Sequence, residues 1–411
     1  MQQVANDQAI PSKNNLFIVP SIQVTWTPES VWNTGIVGSY SNSLSALAVE
    51  RYVETFGFAL DPLRLSFRYP DDNCAALFPA LGTPQVPQDI FINYLQHNAS
   101  TSLISSYLNS SAFALANGKP LIMFETNTAS CSGFPGISDS FGAALWGLDW
   151  ALQMAYNNFS AALFHVGGQN AYYNPFTPPP TNQTKYGAEW TVGPIYYSAL
   201  VMAEALGPHN LSQVSDITQN INTPIYAIYE KGVPTKVALF NFITDPTGAS
   251  SYTAVISIGG GSTGQSNATP SQVQVKYVLI KHDLKKSKYS TFVILYRYLL
   301  AESIASINNF TWAGQVSASH ILDPYVSFAS LNCAHDNSSP TDAGSPVEIR
   351  WPPEWHGKRN NGAVRPNCQY MFNSRASTGL RARIPHFRLP TSSLAYLDRH
   401  IPNDGDDHHR Q

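Results

Sequence analysis

Lys119-Pro120-Leu121-Ile122-Met123-Phe124-Glu125-Thr126-Asn127-Thr128-Ala129-Ser130-Cys131-Ser132-Gly133-Phe134-Pro135-Gly136 is the stretch on which the reading of this chain turns. Leu121 to Phe124 is a short apolar run of the length expected for a fully buried strand, opened by Lys119-Pro120 and closed by Glu125. A loop of small residues follows, and then Ser138-Asp139 and a helical pattern. Ser138 suits an N-cap and Asp139 the positive helix end. Phe141, Leu145, Leu148, Leu152 and Ala155 then form a stripe at helical spacing. A carboxylate at the carboxyl end of a buried strand, with a tight loop over it and a helix behind, is where an α/β barrel keeps its chemistry. The same Glu is also compatible with a purely structural strand end.

Working outward, three more runs read as buried strands: Leu16–Pro20, Leu44–Tyr52 and Ala161–His165. In the second, Glu50 and Tyr52 share one face by the two-residue period. Residues 27–43 read as loop, and residues 87–117 as helix in two pieces. An aromatic and Pro-rich loop runs from Tyr172 to Pro180, and Pro194 and Gly207-Pro208 bracket another helix. The βαβα alternation predicts parallel strands with helical crossovers. Beyond Gly207 the pattern changes to short alternating strands at Ile225–Tyr229, Lys236–Phe242, Tyr252–Ile258 and Val273–Tyr277, which predicts an antiparallel sandwich and a boundary near residue 208. Nine of the thirteen Arg lie between Arg350 and Arg410 among Pro, His and Ser, so the tail is expected to be disordered.

Composition narrows the function classes. The 411 residues carry a net charge of −3 with only 12% charged side chains, so nothing points to nucleic acid or an acidic membrane surface. No apolar run reaches transmembrane length. The 21 Tyr and 8 Trp suit a sugar-handling protein and equally many β-rich ones. The N-x-S/T pattern recurs at Asn98, Asn109, Asn158, Asn182, Asn210, Asn267, Asn309 and Asn337, which points to a secretory route. The start Met1-Gln2-Gln3-Val4 has no signal-peptide pattern, and the conflict predicts a true start upstream. The four Cys lack metal-ligand spacing, and Cys74 and Cys131 are expected to pair across neighbouring barrel loops. His356, His400, His408 and His409 read as a polar tail, and no metal or cofactor is expected. Gly259–Gly264, with Ser262, formally satisfies nucleotide-loop and serine-elbow patterns but lacks their strand–loop–helix setting, so it reads as a hairpin connection.

Three segments together, Phe124–Phe141, Ala144–Asp149 and His165–Pro180, resemble fungal glycoside hydrolase family 79, the β-glucuronidases related to the heparanases. The resemblance covers roughly residues 16–312. It implies the C-terminal half of a (β/α)8 TIM barrel over residues 1–208, strands five to eight, followed by an antiparallel β-sandwich over 209–315 and a non-native tail over 316–411. It also implies cleavage of β-glucuronides with retention, a glucuronide as substrate, and a secreted protein. Glu125 matches the nucleophile of that family. Cys131, Ser132 and Gly133 match the turn whose backbone N–H groups hold the sugar carboxylate. Tyr172 matches a Tyr that hydrogen-bonds the same carboxylate, with Tyr173 as the alternative, and Tyr52 resembles a Tyr that hydrogen-bonds the nucleophile. These roles are physically sound, because converging backbone donors bind an anion without a buried counter-charge and a Tyr donor keeps a carboxylate ionised.

The family acid/base is the Glu of an Asn-Glu-Pro motif at the end of strand four, and no Asn-Glu dipeptide occurs here. The four strands found are those expected as five to eight, so the chain is expected to lack strands one to four and to be inactive as it stands. Glu50 is the one carboxylate on the Tyr52 face that could substitute. Val53–Arg68 and Val278–Tyr298 interrupt family motifs and read as translated introns, and a shifted frame accounts for the tail. A non-catalytic carbohydrate-binding fragment is the competing reading.

Overall fold

The structure, a computed structural model, describes residues 17–20, 27–51, 73–78, 83–179, 190–209, 211–218, 220–244, 252–259, 274–276, 297–301, 303–308, 310–312, 315–316, 347–351, 386–389 and 393–398. Its first sheet has four strands in chain order, β1 (Phe17–Val19), β2 (Leu44–Arg51), β3 (Leu121–Thr126) and β4 (Phe159–Phe164), and every pairing is parallel. Parallel neighbours cannot be joined by hairpins, so helices carry the chain back each time. Three of them, α1 (Pro87–Tyr94), α2 (His97–Ser105) and α3 (Leu108–Ala116), lie between β2 and β3. The sequence predicted two pieces there; the extra break falls at Gln96, whose backbone is extended (φ −151°, ψ 142°) without a Gly or Pro to announce it. Residues 27–43, expected as loop, hold short helical turns from Pro28 to Ser39.

Helix α4 (Phe141–Tyr156) joins β3 to β4 and is buried nearly all round. Its Trp146, Trp150 and Met154 belong to the core under the parallel sheet, with Leu47, Val49, Leu121 and Met123. The stripe read from the sequence, Phe141, Leu145, Leu148 and Leu152, faces the other way, onto Tyr226, Ile228, Ala238 and Phe240. A helix apolar on both sides is therefore the layer shared by two cores. Its N-cap is Ser140, not Ser138. The Ser138 and Asp139 side chains bond the preceding loop instead, Ser138 Oγ accepting from Phe134 N at 2.8 Å and Asp139 Oδ1 from Gly136 N at 2.7 Å. Helix α5 (Pro194–Leu206) has the expected Pro start and a Gly207 stop with φ 72°.

Before α5, β5 (Phe176–Thr177) and β6 (Thr191–Val192) form a two-stranded antiparallel ladder, and beyond α5 the chain forms two further sheets. The larger has the order β14-β13-β12-β17-β9-β8-β7, with β11 also on β17. Its strands are β7 (Ser212–Thr218), β8 (Ile225–Glu230), β9 (Val233–Asn241), β11 (Gln274–Lys276), β12 (Arg297–Leu300), β13 (Thr311–Trp312), β14 (Gln315–Val316) and β17 (Ser393–Asp398), and its pairings are antiparallel. In the smaller sheet β10 (Tyr252–Ile258) pairs in parallel with β15 (Val347–Trp351) and antiparallel with β16 (His386–Leu389).

Within the stretch expected to be disordered, the structure describes the strands β15, β16 and β17. The apolar run Leu394-Ala-Tyr-Leu397 was missed among the Arg residues, yet β17 takes the place beside β9 that would otherwise be a bare edge, from Ser393↔Asn241 to Asp398↔Lys236. Arg297 and Tyr298, read as the end of an insertion, begin β12. Val53–Arg68 lies outside the described residues, as does 277–296.

Candidate functional site

Glu125 is the penultimate residue of β3, and its backbone partner across the sheet is Glu50 on β2. In a parallel pair such partners point to the same side, so two carboxyl groups stand together at one end of the sheet. Burial pushes the Glu50 carboxyl up from the ordinary carboxylate range, and the neighbouring Glu125 pushes it further. On the other flank β4 ends at Phe164, and His165 N–H donates to Thr126 O at 2.9 Å, continuing the ladder by one residue. That brings His165 Nε2 to 3.9 Å from Glu125 Oε1, with the two side chains 41% and 36% exposed.

The loop after β3 is clamped from several sides. Cys131, Ser132 and Gly133 have φ values of 48°, 76° and 75°, three consecutive residues in the left-handed region. Non-glycine residues persist there only where the surroundings over-determine them. Here Cys131 forms a disulfide with Cys74, with the Cα atoms 5.0 Å apart, as the sequence predicted. Asn73 Nδ2 donates to Gly133 O at 2.6 Å, and Gly133 N closes the turn on Ser130 O at 3.1 Å. Gly133 is required on two counts: its φ, and the 2.5 Å and 2.9 Å that would separate a Cβ from Ser138 Oγ and Tyr173 Cδ1.

Tyr173 joins this loop to Glu125. Its hydroxyl lies 2.9 Å from His165 Nδ1. Burial raises the pKa of its phenol, a backbone hydrogen bond from Ser132 lowers it, and the Glu125 charge raises it again. Tyr172 meets the same loop by its backbone, its N–H donating to Ser132 O at 2.8 Å, while its side chain is 41% exposed. Of the two adjacent tyrosines, Tyr173 is the one whose hydroxyl meets His165, the neighbour of Glu125. The structure therefore brings together Glu125, Glu50, His165, Tyr173 and the 131–133 loop. Tyr52 lies outside the described residues, as do Ser262 and the tail histidines His356, His400, His408 and His409.

The sequence reading missed His165, although it quoted the residue. The signal was available, because the rule that singled out Glu125, a polar side chain at the carboxyl end of a parallel strand, applies equally to β4. No group of three or more His, Cys, Asp or Glu that could hold a metal occurs among the described residues.

A second ionisable cluster lies between α2, α4 and β7–β8. His97 sits 3.0 Å from both Asp149 Oδ1 and Asp216 Oδ2, and Gln153 and Tyr226 bond the same carboxylates. Burial alone would lower the His97 pKa, but hydrogen bonds and charge from the two aspartates raise it to about 10. Burial, with the two aspartates, also pushes the Tyr226 phenol far above its usual range.

Residues 225–321 match the Glycosyl hydrolase family 79 C-terminal beta domain. A β-glucuronidase of Aspergillus niger is 32% identical over 153 residues, covering 36% of this chain and 28% of that protein. One of Neurospora crassa is 30% identical over 212 residues, covering 48% and 36%. This chain thus spans about a third of the length of the curated relatives it matches. A solved 4-O-alpha-L-rhamnosyl-beta-D-glucuronidase from Fusarium oxysporum is 17% identical with a TM-score of 0.49, covering 89% of this chain and 55% of that one. No helix among the described residues is long and apolar enough to cross a membrane. The domain match and the two fungal relatives agree with the motifs: this chain resembles the fungal β-glucuronidases of glycoside hydrolase family 79.

Proposed function

We propose that this chain carries the nucleophile half of a retaining β-glucuronidase centre, with Glu125 as the nucleophile. On this reading β1–β4 are strands five to eight of a (β/α)8 barrel and the later sheets form a β-sandwich. The observation that carries it is the placement of a partly exposed carboxylate at a parallel-strand end, linked through Tyr173 to a clamped turn of backbone amides. A glucuronate bound with its carboxylate on the 131–133 turn would share the Ser132 donor and the Tyr173 hydroxyl. Its anomeric carbon would then face Glu125, which attacks to form a covalent glycosyl–enzyme intermediate. Tyr173 takes the carboxylate-binding role in preference to Tyr172, and Tyr52 keeps the role its resemblance implies, a donor to the nucleophile.

Retention also requires a second carboxyl group about 5–5.5 Å away to protonate the leaving oxygen. The 411 residues contain no Asn-Glu dipeptide, so the family acid/base motif is not supplied by this polypeptide. Substrates with leaving groups that need no protonation are therefore the ones expected to react at Glu125, and unactivated glucuronides to turn over at trace level. Eight glycosylation acceptor patterns support a secreted protein. Calorimetry with glucuronic acid and with glucose tests the anion turn: binding of glucuronic acid alone is expected, and equal affinity for both would remove the basis of the glucuronide assignment.

A second reading, a carbohydrate-binding fragment without chemistry, is favoured by the exposed rings of Tyr172, Phe176 and Trp190. Phe176 lies in the small ladder Phe176–Thr177 with Thr191–Val192, and Trp190 adjoins it. Sugar binding with no covalent attachment to Glu125 would support this reading over the first.

A further inference from the structure

The 131–133 turn can hold a carboxylate only while its amides, and not its carbonyls, face the sugar, and different contacts hold each of its peptide units. The 133–134 unit is fixed at both atoms: Gly133 O accepts from Asn73 Nδ2 at 2.6 Å, and Phe134 N–H donates to Ser138 Oγ at 2.8 Å. The 132–133 unit is fixed in the same way, Ser132 O accepting from Tyr172 N–H at 2.8 Å and Gly133 N–H donating to Ser130 O at 3.1 Å. The 131–132 unit carries the Ser132 N–H, the donor shared with the sugar carboxylate in the reading above. Its orientation is set by the torsions of Cys131 and Ser132, whose φ values of 48° and 76° lie where non-glycine residues stay only when held. The tie on Cys131 is covalent: it is bonded to Cys74, 57 residues upstream, on the short helix Cys74–Leu77. The two ends of the loop are anchored independently of that bond, because Ala129 and Phe134 are fully buried in the core under the parallel sheet.

We propose that the Cys74–Cys131 disulfide positions the 131–132 peptide unit for carboxylate recognition, so that preference for a glucuronide over a glucoside depends on the redox state of this pair. The inference rests on reading the 131–133 turn as the carboxylate site. Both cysteines are partly exposed, within reach of a small thiol. The thiolate of a dithiol attacks one sulfur, and its second thiol then displaces the protein from the mixed disulfide. The S–S bond breaks, two electrons and two protons pass to Cys74 and Cys131, and the reagent leaves as its cyclic disulfide. Cys131 can then leave the left-handed region, and rotation of the 131–132 unit puts a carbonyl oxygen where the amide N–H stood. A carboxylate is repelled there, whereas a neutral hydroxymethyl group can donate to it. Reduction thus acts on selectivity before it acts on the fold, because the core contacts of Ala129 and Phe134 and the Asn73 and Ser138 bonds remain.

The test compares labelling of the full chain by 2-deoxy-2-fluoro-β-D-glucuronyl fluoride and by the corresponding glucosyl fluoride, before and after dithiothreitol. Alkylation and mass mapping confirm the thiols at Cys74 and Cys131. The ratio of the glucuronyl to the glucosyl rate is expected to fall about tenfold or more on reduction, the effect of one lost charge-assisted hydrogen bond, and to recover on reoxidation. General loosening would slow both reagents alike and leave the ratio where it was, and that result would overturn the inference. Cys74→Ser should show the low ratio without reductant and no further fall with it, which assigns the effect to this pair and not to Cys333 or Cys368. A Cys74→Ser ratio equal to that of the parent would also overturn it. If the oxidised chain reacts with both reagents at the same rate, the carboxylate reading of the turn fails and this inference with it. A glucuronyl preference that survives reduction defeats this inference alone.

Discussion

His97 and His165 both meet carboxylates, under opposite conditions. His97 is 1% exposed and 3.0 Å from each of two aspartates; His165 is 41% exposed and 3.9 Å from one glutamate. The first cluster is closed by Gln153 and Tyr226, although Asp216 Oδ1 has no hydrogen bond among the described residues. Its charges are committed to one another and face no open surface, so its work is to fasten α2 and α4 to β7 and β8. The second cluster leaves a carboxylate within reach of a solute and takes its rigidity from outside, through the Cys74–Cys131 disulfide, Asn73 and Ser138. Charge satisfied by neighbours stabilises, whereas charge held in place but only loosely paired is available for chemistry.

The strongest way to break this contrast is to remove the buried cation. His97→Ala leaves Asp149 and Asp216 buried without it and should cost about 3–5 kcal/mol in urea unfolding. A loss near zero would mean that the cluster is not a fastening. Its pH dependence follows from the same contacts. The folded His97 pKa, about 10, lies above its ordinary 6.5, so the stabilisation is fully present below pH 6.5 and is lost as pH rises towards 10. Unfolding midpoints should therefore fall across that window in the parent chain, and the His97 contribution to that fall should vanish in His97→Ala.

Gly133→Ala probes the open region. The added Cβ meets Ser138 and Tyr173 at a left-handed φ, so a loss of about 1–3 kcal/mol is expected. Glucuronic acid binding should weaken in protein that remains folded. The smallest stability effect is expected for His165→Ala, within about 0.5 kcal/mol, because a partly exposed contact of 3.9 Å contributes little. A large destabilisation by His165→Ala would erase the distinction between the two histidines.

The parts legible in sequence were those set by neighbours along the chain. Four short apolar runs located β1–β4, and Pro194 and Gly207 located both ends of α5. Long-range partners were not legible. His97 and Asp216 are 119 residues apart, and no local pattern links them. Ser138 and Asp139 were misassigned because side chains suited to capping a helix also bond the turn before it. The stripe on α4 was read correctly as apolar, but Trp146 and Trp150 show that the opposite face is buried as well. Tyr172 and Tyr173 are adjacent in sequence, and only the course of the loop decides which ring turns inward. β17 was obscured because its apolar run is short and its partner strand lies far upstream.

The most direct measurement is mass mapping of the full chain after exposure to 2-deoxy-2-fluoro-β-D-glucuronyl fluoride, whose leaving group needs no protonation. The account predicts one glucuronyl adduct, on the peptide containing Glu125, and none in Glu125→Gln. An adduct on another residue, or an unmodified Glu125 in chain that binds glucuronic acid, would contradict it.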